Sequence, residues 1–273
     1  MTNYVHGYSQ REAGRLTDQA DVLVDLLHGD TIYAPGSRVL ECGCGTGSQT
    51  LHLAKRNPRV HLVSMDRAAD SLALAKTKLN EQNLANVTFQ QADIFKMPFA
   101  PQSFDHAFVC FVLEHLPEPA IALQHIKQVL RNGGTLTVIE GDHGSWYCHP
   151  ETPAARQTVA CLIRIQADLG GDALIGRRLY PLLVSAGFKQ VRVEPKMVYV
   201  DSSRPNWVEG FSKKTFIAMV EAVEDKAIGL GLIDRPTWRQ GIEDMYRATH
   251  ADGTFCYTFF KATAIASHGE SQK

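Results

Sequence analysis

Between residues 38 and 140 the chain alternates short apolar runs with segments of helical period, and this rhythm constrains the fold more than any other feature. Arg38–Glu41, Val60–Met65, Val87–Gln91, Phe104–Phe111 and Thr135–Glu140 read as strands rich in Val, Leu, Ile and Phe. Gln49–Arg56, Ala69–Gln82 and Glu118–Leu130 place apolar residues three and four apart, the spacing of one helix face. Buried strands alternating with helices predict a parallel sheet covered on both sides, a doubly wound α/β fold.

The flanks break the rhythm. Residues 9–28 read as a leader helix capped by Ser9, closed off by the Pro35-Gly36 turn. Past Glu140 the helical stretches Glu151–Asp168 and Arg178–Ala186 and two later helices near 215–228 and 237–248 are interleaved with strands Val191–Val200 and Thr254–Ala264. The expected division is a leader or lid over 1–35, a sheet domain over 36–264 with helical insertions near 141–176 and 201–250 acting as a cap, and a disordered tail over 265–273.

Composition excludes several partners. No apolar run approaches the ~20 residues that span a bilayer, and 44% hydrophobic with 21% charged residues can build a packed core. The 28 Lys and Arg nearly cancel the 29 Asp and Glu, so no net positive field draws nucleic acid or an anionic membrane. The opening stretch has no apolar signal core, and six scattered cysteines imply no disulfide framework, so a cytoplasmic protein is expected. Cys42-x-Cys44 with His52 lacks a second ligand pair, and no metal site is expected.

The first strand ends in Glu41 and runs into Cys42-Gly43-Cys44-Gly45-Thr46-Gly47 before a helix. Glycines at 43, 45 and 47 allow positive φ and close approach of a ligand to the backbone. The spacing is GxGxG, not the GxGxxG of dinucleotide sites, and no Lys-Ser/Thr follows as in a P-loop. Glu41 would repel a pyrophosphate and is expected to pair with a cationic group of the ligand. Asp66, 23 residues beyond Gly43 at the end of the second strand, suits ribose hydroxyls, although by itself it could be a helix cap. Asp93 after the third strand can accept from an exocyclic amine while Ile94 offers a purine an apolar face. A cationic head, a ribose and an adenine without phosphate make up S-adenosylmethionine.

On these residues, and on Phe104-Asp105 through Leu113-Glu114-His115-Leu116, the chain resembles the class I S-adenosylmethionine-dependent methyltransferases over residues 36–140. It is similar to the small-molecule enzymes of ubiquinone and menaquinone C-methylation and to bacterial secondary-metabolite methyltransferases. The resemblance implies a Rossmann-like seven-stranded sheet whose last strand is antiparallel. It also implies S-adenosylmethionine held by Glu41, Gly43, Gly45, Gly47, Asp66, Arg67, Asp93, Ile94, Cys110 and His115. His115 could equally be structural. A nicotinamide-dependent oxidoreductase and a non-catalytic binding module are the competing functions, disfavoured by the loop spacing and by the set of acids.

The acceptor side is less determined. Glu140–Tyr147 leaves the fifth strand at the carboxyl ends, where open α/β sheets bind ligands. His143 is therefore a candidate general base, with a backbone-bonded loop histidine as the alternative. Trp146, Tyr147 and Tyr199 would suit a cation-stabilising wall for a carbon nucleophile, Tyr199 is a second catalytic candidate, and Tyr8 of the leader is a substrate candidate. The expected acceptor is a small molecule, with carbon, oxygen and nitrogen all open, as is self-association.

Overall fold

The structure, a computed structural model, describes residues 10–268. Its centre is a sheet in which β1 (Arg38–Cys42) lies between β2 (His61–Asp66) and β4 (Phe104–Cys110), all parallel, with β3 (Val87–Gln91) outside β2 and β5 (Leu130–Gly141) outside β4. Period-two alternation divides the core between two faces. Val39, Leu62, Phe108 and Ile139 are buried on one face; Leu40, Val63, Val109 and Val138 are buried on the other.

The chain then reverses. β8 (Thr254–Ile265) inserts antiparallel between β5 and β7 (Lys189–Val200), giving the order β3-β2-β1-β4-β5-β8-β7. This is the expected seven-stranded row with a reversed last strand. An eighth strand, β6 (Tyr147–His149), pairs with β8 at Cys256, past the point where Gly141 of β5 meets Phe259. Residues 142–146, between β5 and β6, leave the sheet as a loop. Three of its contacts fix it: Arg177 donates to both Asp142 oxygens at 2.6 and 2.8 Å, and the His143 amide donates to Ala173 O at 2.9 Å.

The helices are α1 (Gln10–His28), α2 (Ser48–Arg56), α3 (Ala69–Glu81), α4 (Pro119–Val129), α5 (Pro153–Asp168), α6 (Leu179–Ser185), α7 (Pro205–Trp207), α8 (Ala218–Glu221), α9 (Glu224–Gly229) and α10 (Arg235–Arg247). Two expectations need correction. The helix read near 215–228 is broken: α7 continues through π-helical turns over Val208–Ile217 into α8 and then α9. Val22 of α1 occupies the space a side chain on Gly210 would need, 2.3 Å from its Cβ position, and Thr215 Oγ1 donates to Gly210 O at 2.7 Å. The expected boundary at 265 falls inside the fold: β8 runs to Ile265, and Ala266 exchanges backbone hydrogen bonds with Gly133 and Gly134 at 2.8 Å. Among the described residues no helix is long and apolar enough to cross a membrane.

Candidate active site

Strand order reverses direction at β1, so β2 and β4 leave its two sides and a crevice opens at the carboxyl ends, the usual ligand position in open α/β sheets. A cavity of about 940 Å³ occupies it, at the upper end of the range of roughly 300–1,000 Å³ usual for small-molecule sites.

One half is built by the glycine loop, whose three glycines are needed for different reasons. All three adopt left-handed φ, at +73°, +52° and +77°. A side chain on Gly43 would strike Val112 at 2.5 Å, and one on Gly47 would meet Ala75 of α3 at 2.9 Å. Gly45 has nothing within 4 Å of its Cβ position, so its backbone is left open to the cavity. The loop amides turn inward. Gly43 and Cys44 both donate to Met65 O at 2.8 and 3.0 Å, Gly45 donates to Asp66 Oδ2 at 2.9 Å, and Gly47 donates to Cys44 O at 2.9 Å.

Asp66 and Arg67 at the tip of β2 line the same half, with Asp93, Ile94, Cys110 and His115. Asp66 Oδ1 also accepts the Ala68 amide at 2.9 Å, and Asp93 Oδ1 accepts that of Phe95 at 2.9 Å. Each carboxylate retains lone pairs for a ligand hydroxyl or amine.

Glu41 does not face the cavity, contrary to the expectation of a direct ligand contact. It is 2% exposed beneath the loop, where Thr50 Oγ1 and Ser64 Oγ both donate to its Oε2 at 2.7 and 2.6 Å. Burial, with a smaller push from Asp66, raises its pKa to about 7 against those hydrogen bonds. Gly47 likewise packs between helices rather than on the wall. Of the acceptor-side candidates among the described residues, only His143 lines the cavity. Tyr147 and Tyr199 point outward at 49% and 42% exposure, because they stand opposite Cys256 on the sheet face turned away from the site. Trp146 lies behind the wall against Phe216, at 5.8 Å between ring centroids. Tyr8 lies outside the described residues.

The other half of the cavity is apolar and was largely missed by sequence reasoning. Phe211, Phe216 and Met219 come from the π-helical segment and α8, Phe259 and Tyr257 from β8, and Phe111 from the end of β4. The alternation Phe255-Tyr257-Phe259, every second residue of β8, was the available signal. Arg15 and Gln19 of α1 close the cavity from above, Arg15 Nη1 donating to Gln19 Oε1 at 3.3 Å.

Where the halves meet lies a buried polar group. His143 Nδ1 is 2.7 Å from the Tyr257 hydroxyl and its Nε2 is 3.6 Å from Glu114 Oε2. Burial lowers the His143 pKa, with Glu114 opposing. Burial would raise Glu114, but His115, His143 and the Gln166 amide outweigh it and leave the carboxyl below its usual range. Beside them Glu140 is pushed well above its usual range by burial and by Glu114. Its Oε1 accepts the Val112 and Leu113 amides at 3.0 and 2.7 Å, tying the segment that carries Glu114 to β5.

A family model described as a methyltransferase domain matches residues 34–187. The chain belongs to this methyltransferase-domain family. An uncharacterised 37.1 kDa protein in transposon TN4556 of Streptomyces fradiae is 30% identical over 184 residues, covering 66% of this chain and 52% of that one. The 27-O-demethylrifamycin SV methyltransferase of Amycolatopsis mediterranei is 26% identical over 209 residues, covering 76% and 73%. The chain spans about half the length of the first curated relatives it matches. Among solved structures, the (4+2)-cyclase SpnF superposes with a TM-score of 0.56 at 21% identity, covering 93% of this chain and 82% of that one. A fold shared with a cyclase leaves the chemistry to be argued from the site.

Proposed function

We propose that this protein transfers the methyl group of S-adenosylmethionine to a small-molecule acceptor with an extended apolar body. The observation that carries this reading is one cavity with two chemically distinct halves: carboxylates and an open glycine backbone on one side, aromatic rings on the other. The inward-turned loop amides favour a cofactor without phosphate, since a pyrophosphate needs such donors free, as they are in dinucleotide sites. Asp66 is suited to ribose hydroxyls, Asp93 to an exocyclic amine, and Ile94 to the face of an adenine. Gly43, Gly45, Cys110 and His115 line the same cavity.

The sulfonium supplies an activated methyl group for in-line displacement. The protein's contribution is to hold the acceptor collinear and exclude water, for which the aromatic wall and α1 are placed. The near-zero net charge supports a small-molecule acceptor over nucleic acid, and six free, buried thiols support a reducing cytoplasmic setting. Curated matches that include a rifamycin methyltransferase support a natural-product acceptor. Titration calorimetry with S-adenosylmethionine, S-adenosylhomocysteine and NAD tests the reading. Binding of the first two is expected, and tight NAD binding with no S-adenosylmethionine binding would sink it.

A further inference from the structure

At the junction of the two cavity halves, three titratable side chains from three separate segments form a chain. Tyr257 comes from β8, His143 from the loop after β5, and Glu114 from the short turn Leu113–His115 after β4. They are 2%, 5% and 7% exposed, and all three line the cavity. The phenol oxygen occupies a space that exists only because residue 141 is glycine, since a Cβ there would lie 2.3 Å from it. Gln166 Nε2 donates to Glu114 Oε2 at 3.0 Å and holds the carboxylate toward the imidazole.

We infer that Tyr257, His143 and Glu114 are a proton relay, and that the acceptor methylated in this cavity is a hydroxyl group on an apolar body. The inference rests on the methyl-transfer reading and specifies its acceptor.

The Glu114 carboxylate beside Nε2 favours the tautomer with the proton on that nitrogen, as the carboxylate does in a Ser-His-Asp triad. Nδ1 is then bare, so the Tyr257 hydroxyl donates to it, and the phenol oxygen, which also accepts the Asp142 amide, keeps one lone pair for a donor in the cavity. An acceptor hydroxyl fits that position. As its oxygen bonds to the methyl carbon, the carbon–sulfur bond breaks and its electron pair returns to sulfur, leaving S-adenosylhomocysteine. The hydroxyl proton passes to the Tyr257 oxygen while the phenol proton passes to His143 Nδ1, and the imidazolium faces Glu114. A neutral amine already offers its lone pair, and an electron-rich ring carbon attacking directly loses its proton only after the new bond forms. A hydroxyl is the acceptor whose attack depends on a base in place. Burial keeps His143 neutral in the resting site. The charged and titratable groups facing the relay are His115, Arg15, Glu140 and Asp142, the last already paired with Arg177.

The test uses 1-naphthol and 1-naphthylamine as planar apolar probes with tritiated S-adenosylmethionine, alongside calorimetry. The expected result is the methyl ether of 1-naphthol as the dominant product, at a kcat that rises with pH through the His143 titration and then levels off. Tyr257→Phe and His143→Gln should each lower kcat by about 10²–10⁴-fold, remove that pH limb and leave the KM for S-adenosylmethionine within about twofold. Nitrogen-15 spectra of the histidines with S-adenosylhomocysteine bound should show His143 protonated on Nε2. The opposite tautomer, preferred methylation of the amine, or variants with wild-type kcat and pH profile would overturn the relay. S-adenosylmethionine binding without transfer to 1-naphthol defeats the relay alone, whereas absence of that binding defeats the methyl-transfer reading.

Discussion

The Asp66 carboxylate accepts the Gly45 amide at 2.9 Å, so the tip of β2 holds the glycine loop that leaves β1. One side chain thus does two things: it fixes the left-handed loop and presents an acceptor edge to the cavity.

Asp66→Ala should therefore weaken S-adenosylmethionine binding more than Asp93→Ala, whose carboxylate supports only its own turn at Phe95. Loss of one charged hydrogen bond, about 1.5–3 kcal/mol, corresponds to roughly 10- to 100-fold in Kd for either variant. Calorimetry measures both. Unchanged affinity in the pair would mean the cofactor lies elsewhere.

The glycines separate folding from binding. Gly47→Ala places a methyl group 2.9 Å from Ala75 Cβ at a φ of +77° and should cost about 1–3 kcal/mol in urea unfolding. Gly45→Ala meets no neighbour, so it should cost only the strain of its φ, about 1 kcal/mol, while obstructing the cavity and weakening binding. Equal losses of stability in the two variants would contradict this assignment.

Glu41 makes stability depend on pH. Its folded pKa, about 7, lies above the ordinary 4.5, so the fold prefers the protonated acid. Between pH 4.5 and 7 the unfolded chain binds fewer protons than the native one, and stability falls as pH rises through that window. Glu41→Gln keeps an acceptor for Thr50 and Ser64 without the buried charge. It should be more stable than wild type at pH 8 by up to ~3 kcal/mol and converge with it near pH 4.5. Denaturant melts at the two pH values give the difference, and a variant less stable at pH 8 refutes it.

Much of the scaffold was legible because its signals are local. Period-two and period-3.6 patterns placed β1 to β4 and α2 to α4 within a few residues and found β5, which begins five residues before the expected Thr135; the GxGxG loop with Asp66 and Asp93 marked residues that line one half of the cavity. Glu41 was legible as an acid before the loop but not as a buried one. It shares the inward side of β1 with Val39, and the hydroxyls that enclose it come from α2 and β2. Tyr147 and Tyr199 failed for a related reason: aromatic character says nothing about which sheet face a residue occupies until the register with β8 is known.

The sequence by itself determined the strand–helix alternation, the three left-handed glycines and the two carboxylates at strand ends, since each follows from backbone conformation within a few residues. Only the tertiary structure decided the aromatic half of the cavity and the buried group beside it. His143 and Tyr257 lie 114 residues apart and meet because β8 returns antiparallel beside β5. Glu114 joins them because the Glu140 carboxylate anchors the Val112 and Leu113 amides. Such contacts depend on long-range strand pairing and burial, which no local pattern in the chain encodes.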